Sequence, residues 1–599
     1  TCLNSILGDY YRWPRTVPYS LDDNLEINAK AVILDALERF RLKTCIDFKP
    51  WAGEPNYISF FKDNGCYSYV GNRHMGRQRL SIGTNCDEIA IVQHELLHAL
   101  GFWHEQSRSD RDDYVTIVWA EISNANRHNF NSYDDTVSNF LNVPYDYMSI
   151  MHYANNAFQI STRPTIVANN PKFINLIGQR LDFSERDTQK LHTLYDCGKS
   201  AFLDSCTFDL DDICGYLQSL DDNSDWQQVS YVSSGPISDH THLQDANVTG
   251  HFMHFSTATG DAGHKAIFES RLFYPKRDYQ CLEFFYYNSG HESDRLEIWI
   301  KEYTATSPNG AMRLINEVTA DYWQLHYSSL NAKRKFRFVL HGIKGNRASN
   351  GGISLDDVNL SETECPEYVW HIRKFNINDL TYSIYSPPFY SKYGYAYQVS
   401  LSKLSSLSLP FNIATYIHLI TGANDDHLQW PCPWKQFTVE FMDQNPDIIH
   451  RTSSMKSITT DPTAMSGSNF RYDNPEKIGR NAVFPNGTAY KTARGEGKYL
   501  FTVQELFNRR DFIKGGDAFI LISMKGKLLN LVLSQQCDFY GAYSTMETQL
   551  LIFFIVMIIS SKYTYNIETP FTIFNCRFRV KNTKYNRKET SESKEREGI

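Results

Sequence analysis

The stretch His94-Glu95-Leu96-Leu97-His98-Ala99-Leu100-Gly101-Phe102-Trp103-His104-Glu105 decides how this chain is read. Around it Ile89, Val92, Leu96 and Leu100 recur at helical spacing and predict a helix with one buried face. Asn85 reads as its N-cap and Glu88, three residues on, as the capping-box partner. On that helix His94 and His98 are four residues apart and project from one side, where two imidazoles can chelate a single zinc ion. Glu95 lies one step round, beside the metal rather than on it. Gly101 is placed to end the helix in a left-handed turn, so that the chain doubles back and presents His104 as a third ligand. Three neutral ligands leave the ion's charge uncompensated and one coordination position open to water. Zinc lowers the pKa of such a water from about 16 to roughly 7, and Glu95 can take the proton as hydroxide attacks a carbonyl, then pass it to the leaving amine. The expected chemistry is peptide-bond hydrolysis without a covalent intermediate. The expected cofactor is one catalytic Zn2+; copper, cobalt or nickel would bind the same nitrogens, and availability favours zinc.

A chance HExxH arises in roughly a few per cent of chains this long, and the added Gly and third His at fixed offsets make accident very improbable. A second segment, Ser149-Ile150-Met151-His152-Tyr153, follows Pro144-Tyr145-Asp146-Tyr147. Taken alone, Met151 reads as a core methionine. Together the two segments resemble the metzincins, and the SxMHY form is that of the astacins. The resemblance implies an α+β metzincin-type protease domain in which Met151 forms the floor of the site. It also implies that Tyr153 is a further zinc ligand whose hydroxyl swings away to stabilise the tetrahedral oxyanion, a role open to a phenol because it can both coordinate and donate a hydrogen bond. His152 is expected to be structural.

The astacin resemblance runs from Asn4 to Cys197, within a first domain assigned to residues 1–199. It implies a long disulfide, Cys45 with Cys197, and a short one, Cys66 with Cys86. Astacins bury a freshly cut N-terminus near the Glu that follows the third His. Asn4-Ser5-Ile6-Leu7-Gly8 resembles that mature start, with Glu105 as its partner and Thr1, Cys2 and Leu3 as propeptide remnants. Such remnants would leave the buried Glu105 carboxylate without an ammonium partner, which is costly.

Downstream, Phe183 to Tyr195 has a helical pattern and Cys197-Gly198-Lys199-Ser200 reads as a linker. The next stretch alternates like strands, as in Cys281-Leu282-Glu283-Phe284-Phe285-Tyr286-Tyr287, and carries frequent turn signals, which suggests an antiparallel sandwich. Cys206-Thr207-Phe208, Gly250-His251-Phe252-Met253, Gly351-Gly352-Ile353-Ser354-Leu355-Asp356-Asp357 and Cys365 resemble a MAM domain, an adhesion and association module, placed at 200–366. Trp430-Pro431-Cys432-Pro433-Trp434, Asp443-Gln444-Asn445-Pro446-Asp447 and Arg510-Asp511-Phe512-Ile513-Lys514-Gly515-Gly516-Asp517 resemble a MATH (TRAF-type) sandwich, placed at 367–527. The expected fold class is thus an α+β protease domain followed by two all-β sandwiches. Astacin, MAM and MATH in this order resemble the meprins, and the local sequence is closest to their beta type. That implies a preference for acidic residues just after the scissile bond, read by arginines. Arg180 matches one of them; the second falls at Asn126, with Arg127 beside it. A guanidinium suits the task because it offers a carboxylate a bidentate fork. The resemblance implies a homo- or hetero-oligomer through the MAM and MATH domains, but the cysteine that would join two subunits aligns with Ala246, which argues against a covalent dimer.

Composition agrees with this partition. At 599 residues the chain calls for several domains. Its net charge of -8 removes the electrostatic reason to expect a nucleic-acid partner. Its 37 Tyr, 37 Phe and 10 Trp supply more large apolar surface than a disordered chain carries. Twelve cysteines with no CxxC pair point to disulfides and an extracellular setting. The sequons at Asn247, Asn359 and Asn486 agree with secretion. Residues 528–599 lack an EGF-like cysteine pattern. Their uncharged stretch Thr548 to Ser561 would span about 21 Å as a helix against a hydrocarbon core of about 30 Å. It reads either as a short membrane anchor ahead of a basic tail or as a terminal segment without designed structure. Two functions from different classes follow: a zinc endopeptidase acting on proteins and peptides, or a noncatalytic adhesion scaffold that keeps a protease-shaped domain. The intact Glu95, three histidines and Tyr153 favour the first.

Overall fold

Within the protease region an amphipathic segment sets the architecture. Ala29, Val32, Ile33, Ala36, Leu37 and Phe40 fall on one face of helix α1 (Ile27–Lys43) and are all buried. That face covers a sheet in the order Asp47–Pro50, Thr16–Leu21, Tyr57–Phe61, Arg77–Ile82, Cys66–Ser68. The first four strands run parallel, the last is antiparallel, and Glu597–Gly598 adds a short strand at its edge. Helix α2 (Ile89–Ala99) packs beside α1, and helix α3 (Glu185–Tyr195) closes the region. Disulfides join Cys45 to Cys197 and Cys66 to Cys86. This computed structural model describes residues 5–526, apart from 135, 137, 140, 199–201, 244–246, 305, 319–321, 381 and 405–410, together with 597–598. Asn4, Ala246, the Lys199-Ser200 linker and Thr548 to Ser561 therefore lie outside the described residues. Among those described, no helix is long and apolar enough to cross a membrane.

One local expectation is corrected. α2 starts at Ile89 with Glu88 as its N-cap, and no side chain caps it. Asn85 instead takes a positive φ of 68° in a turn closed by the Cys86 amide on the Gly83 carbonyl at 3.1 Å. Glu88 is drawn outward, where its carboxylate pairs with Lys456 and, at 3.4 Å, with Lys498. A cross-domain ion pair has displaced a local cap.

The second and third regions are sandwiches. In the second, one sheet runs Gln227–Val229, Phe252–Ser256, Gly352–Ser361, Cys281–Asn288, Gln324–Ser329 and faces a second centred on Phe336–Ile343 and Arg295–Thr304. Disulfides Cys206–Cys214 and Cys281–Cys365 tie its ends. In the third, Tyr368–Ile372, Ala518–Lys525, Gln436–Phe441 and Ser454–Thr459 form one sheet; Ala396–Lys403, Ile413–Leu419 and Glu496–Phe501 dominate the other. The sandwiches share an apolar seam of Phe252, Phe285, Trp323, Met442 and Phe519.

Four buried or half-buried histidines of the second region, His254, His326, His341 and His240, are each pulled down to about 4, chiefly by burial. A folded-state pKa below the unfolded value near 6.5 means that the unfolded chain binds more protons between the two. Stability is therefore present above pH 6.5 and lost as pH falls through about 4. Asp356, Asp204 and Asp222, each raised chiefly by burial, work the other way, as three groups against four. The midpoint of thermal unfolding is expected to fall steadily between pH 6.5 and 4; a flat profile there would refute this.

All three regions belong to one compact unit. Leu176 and Leu181 of the protease pack into the core of the third region. Arg39 pairs with Glu440 and Arg277 with Asp47 across the boundaries. At the junction a buried chain of polar groups runs through all three. Gln93 of α2 donates to Asp182 at 2.7 Å, and Asp182 accepts from Lys43 at the end of α1 at 2.7 Å. Lys43 also donates to the Arg451 carbonyl. The Arg451 guanidinium forks onto Glu283 at 2.9 and 2.6 Å.

Candidate metal centre and cleft

α2 delivers two imidazoles to one side, and its C-terminus supplies the third. The Phe102 amide donates to Leu97 O at 3.0 Å and the Gly101 amide to His98 O at 2.8 Å, the paired bonds of a Schellman motif. Gly101 sits at φ 110°, and a Cβ there would meet Ile6 at 3.0 Å, so both conformation and space favour glycine. After this reversal His104 points back at the helix. Its Nε2 lies 3.3 Å from that of His94 and 3.2 Å from that of His98. All three rings are buried.

The donor set fits zinc. Bonds of about 2.0–2.1 Å in a tetrahedron place two ligand nitrogens about 3.3 Å apart, the spacing found here. His94 Nδ1 contacts Ile150 O at 2.8 Å and His98 Nδ1 contacts Phe102 O at 2.7 Å. Carbonyls can only accept, so these bonds put the protons on Nδ1 and turn the Nε2 lone pairs inward. Burial first, then His98, Arg180 and His104, hold His94 well below its ordinary pKa and keep it neutral.

Glu95 is 1% exposed on the same helix. The Tyr153 ring packs 4.3 Å from the His104 ring and edge-on to Phe130 at 5.7 Å. Met151 is buried in the protease core, and its carbonyl accepts from the Glu105 amide at 3.0 Å, which ties the turn to the residue after the third histidine. His152 lies between the Tyr145 hydroxyl and the Tyr153 carbonyl, each at 2.7 Å.

Glu105 is fully buried, and the structure gives it partners that the sequence did not name. Its carboxylate meets Lys190 Nζ at 2.5 Å and Arg108 at 3.3 Å, and accepts from the Asp146 amide at 2.9 Å. Those cations compensate its charge within the described residues, whereas Asn4 lies outside them. Burial would raise the Glu105 pKa; Lys190 and Arg108 more than offset it and hold it low. Asp187 was not anticipated either. It accepts from Ser149 Oγ at 2.6 Å and the Ile150 amide at 2.8 Å, clamping the methionine turn to the first turn of α3. Ser184 and Asp187 also close a capping box, a signal readable in Ser184-Glu185-Arg186-Asp187.

The two candidate specificity arginines part company. Arg180 is half-buried, donates to the His152 carbonyl at 3.2 Å and lines a cleft beside the centre. Gly178 makes this possible: at φ 81° it lies so close to Ala154 that an added Cβ would stand 2.3 Å from the Ala154 Cα. Arg127 is exposed and donates to the Trp119 carbonyl at 3.1 Å, and it does not line that cleft.

Three histidines at zinc-ligand spacing with a glutamate on the same helix, next to a turn whose Ile150 carbonyl meets His94, are the features of a zinc-dependent metallopeptidase. A profile of the Astacin peptidase family matches residues 6–196, one described as MAM domain, meprin/A5/mu matches 206–366, and a MATH domain profile matches 367–524. Meprin A subunit beta of Homo sapiens is 54% identical over 529 residues, covering 87% of this chain and 75% of that protein. The Mus musculus counterpart is 55% identical over 530 residues, with 87% and 75% covered. Meprin A subunit alpha of Rattus norvegicus is 41% identical over 541 residues, with 87% and 71% covered. The chain belongs to the meprins, the astacin-type zinc metalloendopeptidases that carry MAM and MATH domains, and is similar to their beta subunits.

Proposed function

We propose that the chain is an extracellular endopeptidase that cuts proteins and peptides at a single zinc ion and favours an acidic residue just after the scissile bond. The convergence of the three Nε2 atoms at 3.2–3.3 Å beside a buried Glu95 carries this reading. Four disulfides support the setting outside the cytosol. His94, His98 and His104 would hold the ion. Zinc supplies a Lewis acid that activates water and polarises the scissile carbonyl. Glu95 takes the proton of the attacking water and returns it to the leaving amine. The Tyr153 hydroxyl donates to the oxyanion, and Met151 supports the histidines from below. Residues 1–199 carry this chemistry, while 200–366 and 367–527 serve association, including pairing of subunits without a covalent link.

Arg180 reads the acidic residue through a charge-assisted fork, and Arg127 adds positive potential on the segment that carries Phe130. The test is cleavage of two fluorogenic peptides that differ only in Asp or Lys just after the cut. Chelator-sensitive turnover that favours Asp is expected, and Arg180→Ala should lower kcat/KM for the Asp peptide about tenfold or more while sparing the Lys peptide. Equal turnover of both peptides by the unaltered enzyme would remove the acidic preference but keep the peptidase.

A further inference from the structure

The cleft that begins at Arg180 does not end within the protease. Its volume is about 1220 Å³, above the roughly 300–1,000 Å³ usual for small-molecule pockets, and its far wall belongs to the MATH sandwich. On the protease side it is lined by Ala154 and Asn155, which directly follow Tyr153, and by Gly178 to Leu181. Cross-domain pairs fix the opposing walls: Glu88 with Lys456 and Lys498, and Asn175 donating to Glu505 at 3.0 Å.

The MATH wall has a definite chemistry. In the antiparallel pair of Ile413–Leu419 and Glu496–Phe501, Tyr416 lies opposite Gly497 and Ala414 opposite Tyr499, all four on one face of the sheet. Each tyrosine therefore sits across from a residue with little or no side chain. Tyr416 lies flat on the backbone opposite: a Cβ on Gly497 would stand 2.3 Å from the Tyr416 ring. Tyr499 is 48% exposed, a large apolar ring presented to the cleft rather than to a core. Two rings spread over a flat, small-residue strand pair make a shelf for extended polypeptide, whose side chains and peptide planes pack on aromatic faces without strict sequence demands.

We infer that this shelf is a distal substrate subsite, at which the MATH domain binds the chain of a polypeptide substrate beyond the residue that Arg180 reads. This rests on the peptidase reading above. The occupant follows from continuity, since Arg180 donates to the His152 carbonyl, next to Tyr153, at 3.2 Å and also lines the cleft that leads to the shelf. The proposed determinants are Tyr416 and Tyr499, which touch the substrate far from the reacting atoms.

The test uses the full chain and a series of fluorogenic peptides with one fixed cut site, lengthened one residue at a time past the acidic residue. kcat/KM is expected to rise about fivefold to tenfold once the peptide reaches the shelf, mainly through KM. Tyr416→Ala with Tyr499→Ala should return long peptides to the short-peptide value while the shortest is cut as before. Tyr499→Phe, which keeps the ring, should behave as the unaltered enzyme. A general folding defect would lower turnover of all lengths in parallel and abolish no length dependence. The inference is overturned if kcat/KM stays flat with length, if only lengthening on the opposite side helps, or if the double variant keeps the long-peptide advantage. Absence of cleavage of every peptide would instead refute the peptidase reading.

Discussion

Glu95→Gln is expected to lower kcat by a factor of about 10² to 10⁴ with little change in KM. The amide matches the carboxylate in size, so α2 and the three histidines should keep their places, yet it cannot take a proton from water. Glu95 is 1% exposed between His94 and His98, where an isosteric change opens no cavity. The loss should appear in kcat, because a proton acceptor acts in the transition state and adds nothing to ground-state binding. Steady-state kinetics on one peptide, with zinc content and unfolding midpoint measured on the same preparations, would check it. A variant that holds zinc, folds as before and keeps more than a tenth of the activity would remove Glu95 from the mechanism.

The second large effect concerns stability. Arg451 and Glu283 are 3% and 2% exposed, and they meet through two hydrogen bonds between the MATH and MAM sandwiches. Burial works against the Arg451 charge, and Glu283 more than offsets it. Glu283→Ala strands the guanidinium in a place that water does not reach and is expected to cost about 3–5 kcal/mol. Glu283→Met combined with Arg451→Met should recover most of that, because apolar groups of similar volume replace a buried pair at little cost. Denaturant unfolding of the three proteins decides it. A single variant that loses under about 1 kcal/mol, or a double variant less stable than the single, would show that the pair is not the unit argued here.

The metal centre could be read from the sequence because everything that builds it is local. Helical period puts His94 and His98 on one side, and the left-handed glycine at Gly101 brings back His104 within six residues. The surroundings of Glu105 could not be read that way. Lys190 lies 85 residues away, and nothing in its own neighbourhood marks it as a partner. Asp187 was half-legible: its capping box is a four-residue pattern, but its grip on Ser149 and Ile150 depends on how α3 docks. Glu88 shows a local rule overruled, since the capping pattern from Asn85 is present while the carboxylate goes to Lys456 and Lys498 of another domain. The sandwiches announced themselves by alternation and turn residues, but their seam, and the tyrosine shelf that it leaves facing the protease, depend on docking surfaces that no single segment encodes.

Gln93, next to the first histidine, is moored through Asp182 and Lys43 to a carbonyl of the MATH domain. Cut out by itself, the protease region would keep every catalytic side chain and lose its mooring. The Lys43 ammonium would face solvent instead of Arg451, and Leu176 and Leu181 would be stripped of the core they fill. A catalytic fragment is therefore no miniature of the enzyme, and an assay or inhibitor screen run on such a fragment would report on a looser relative of the intact molecule.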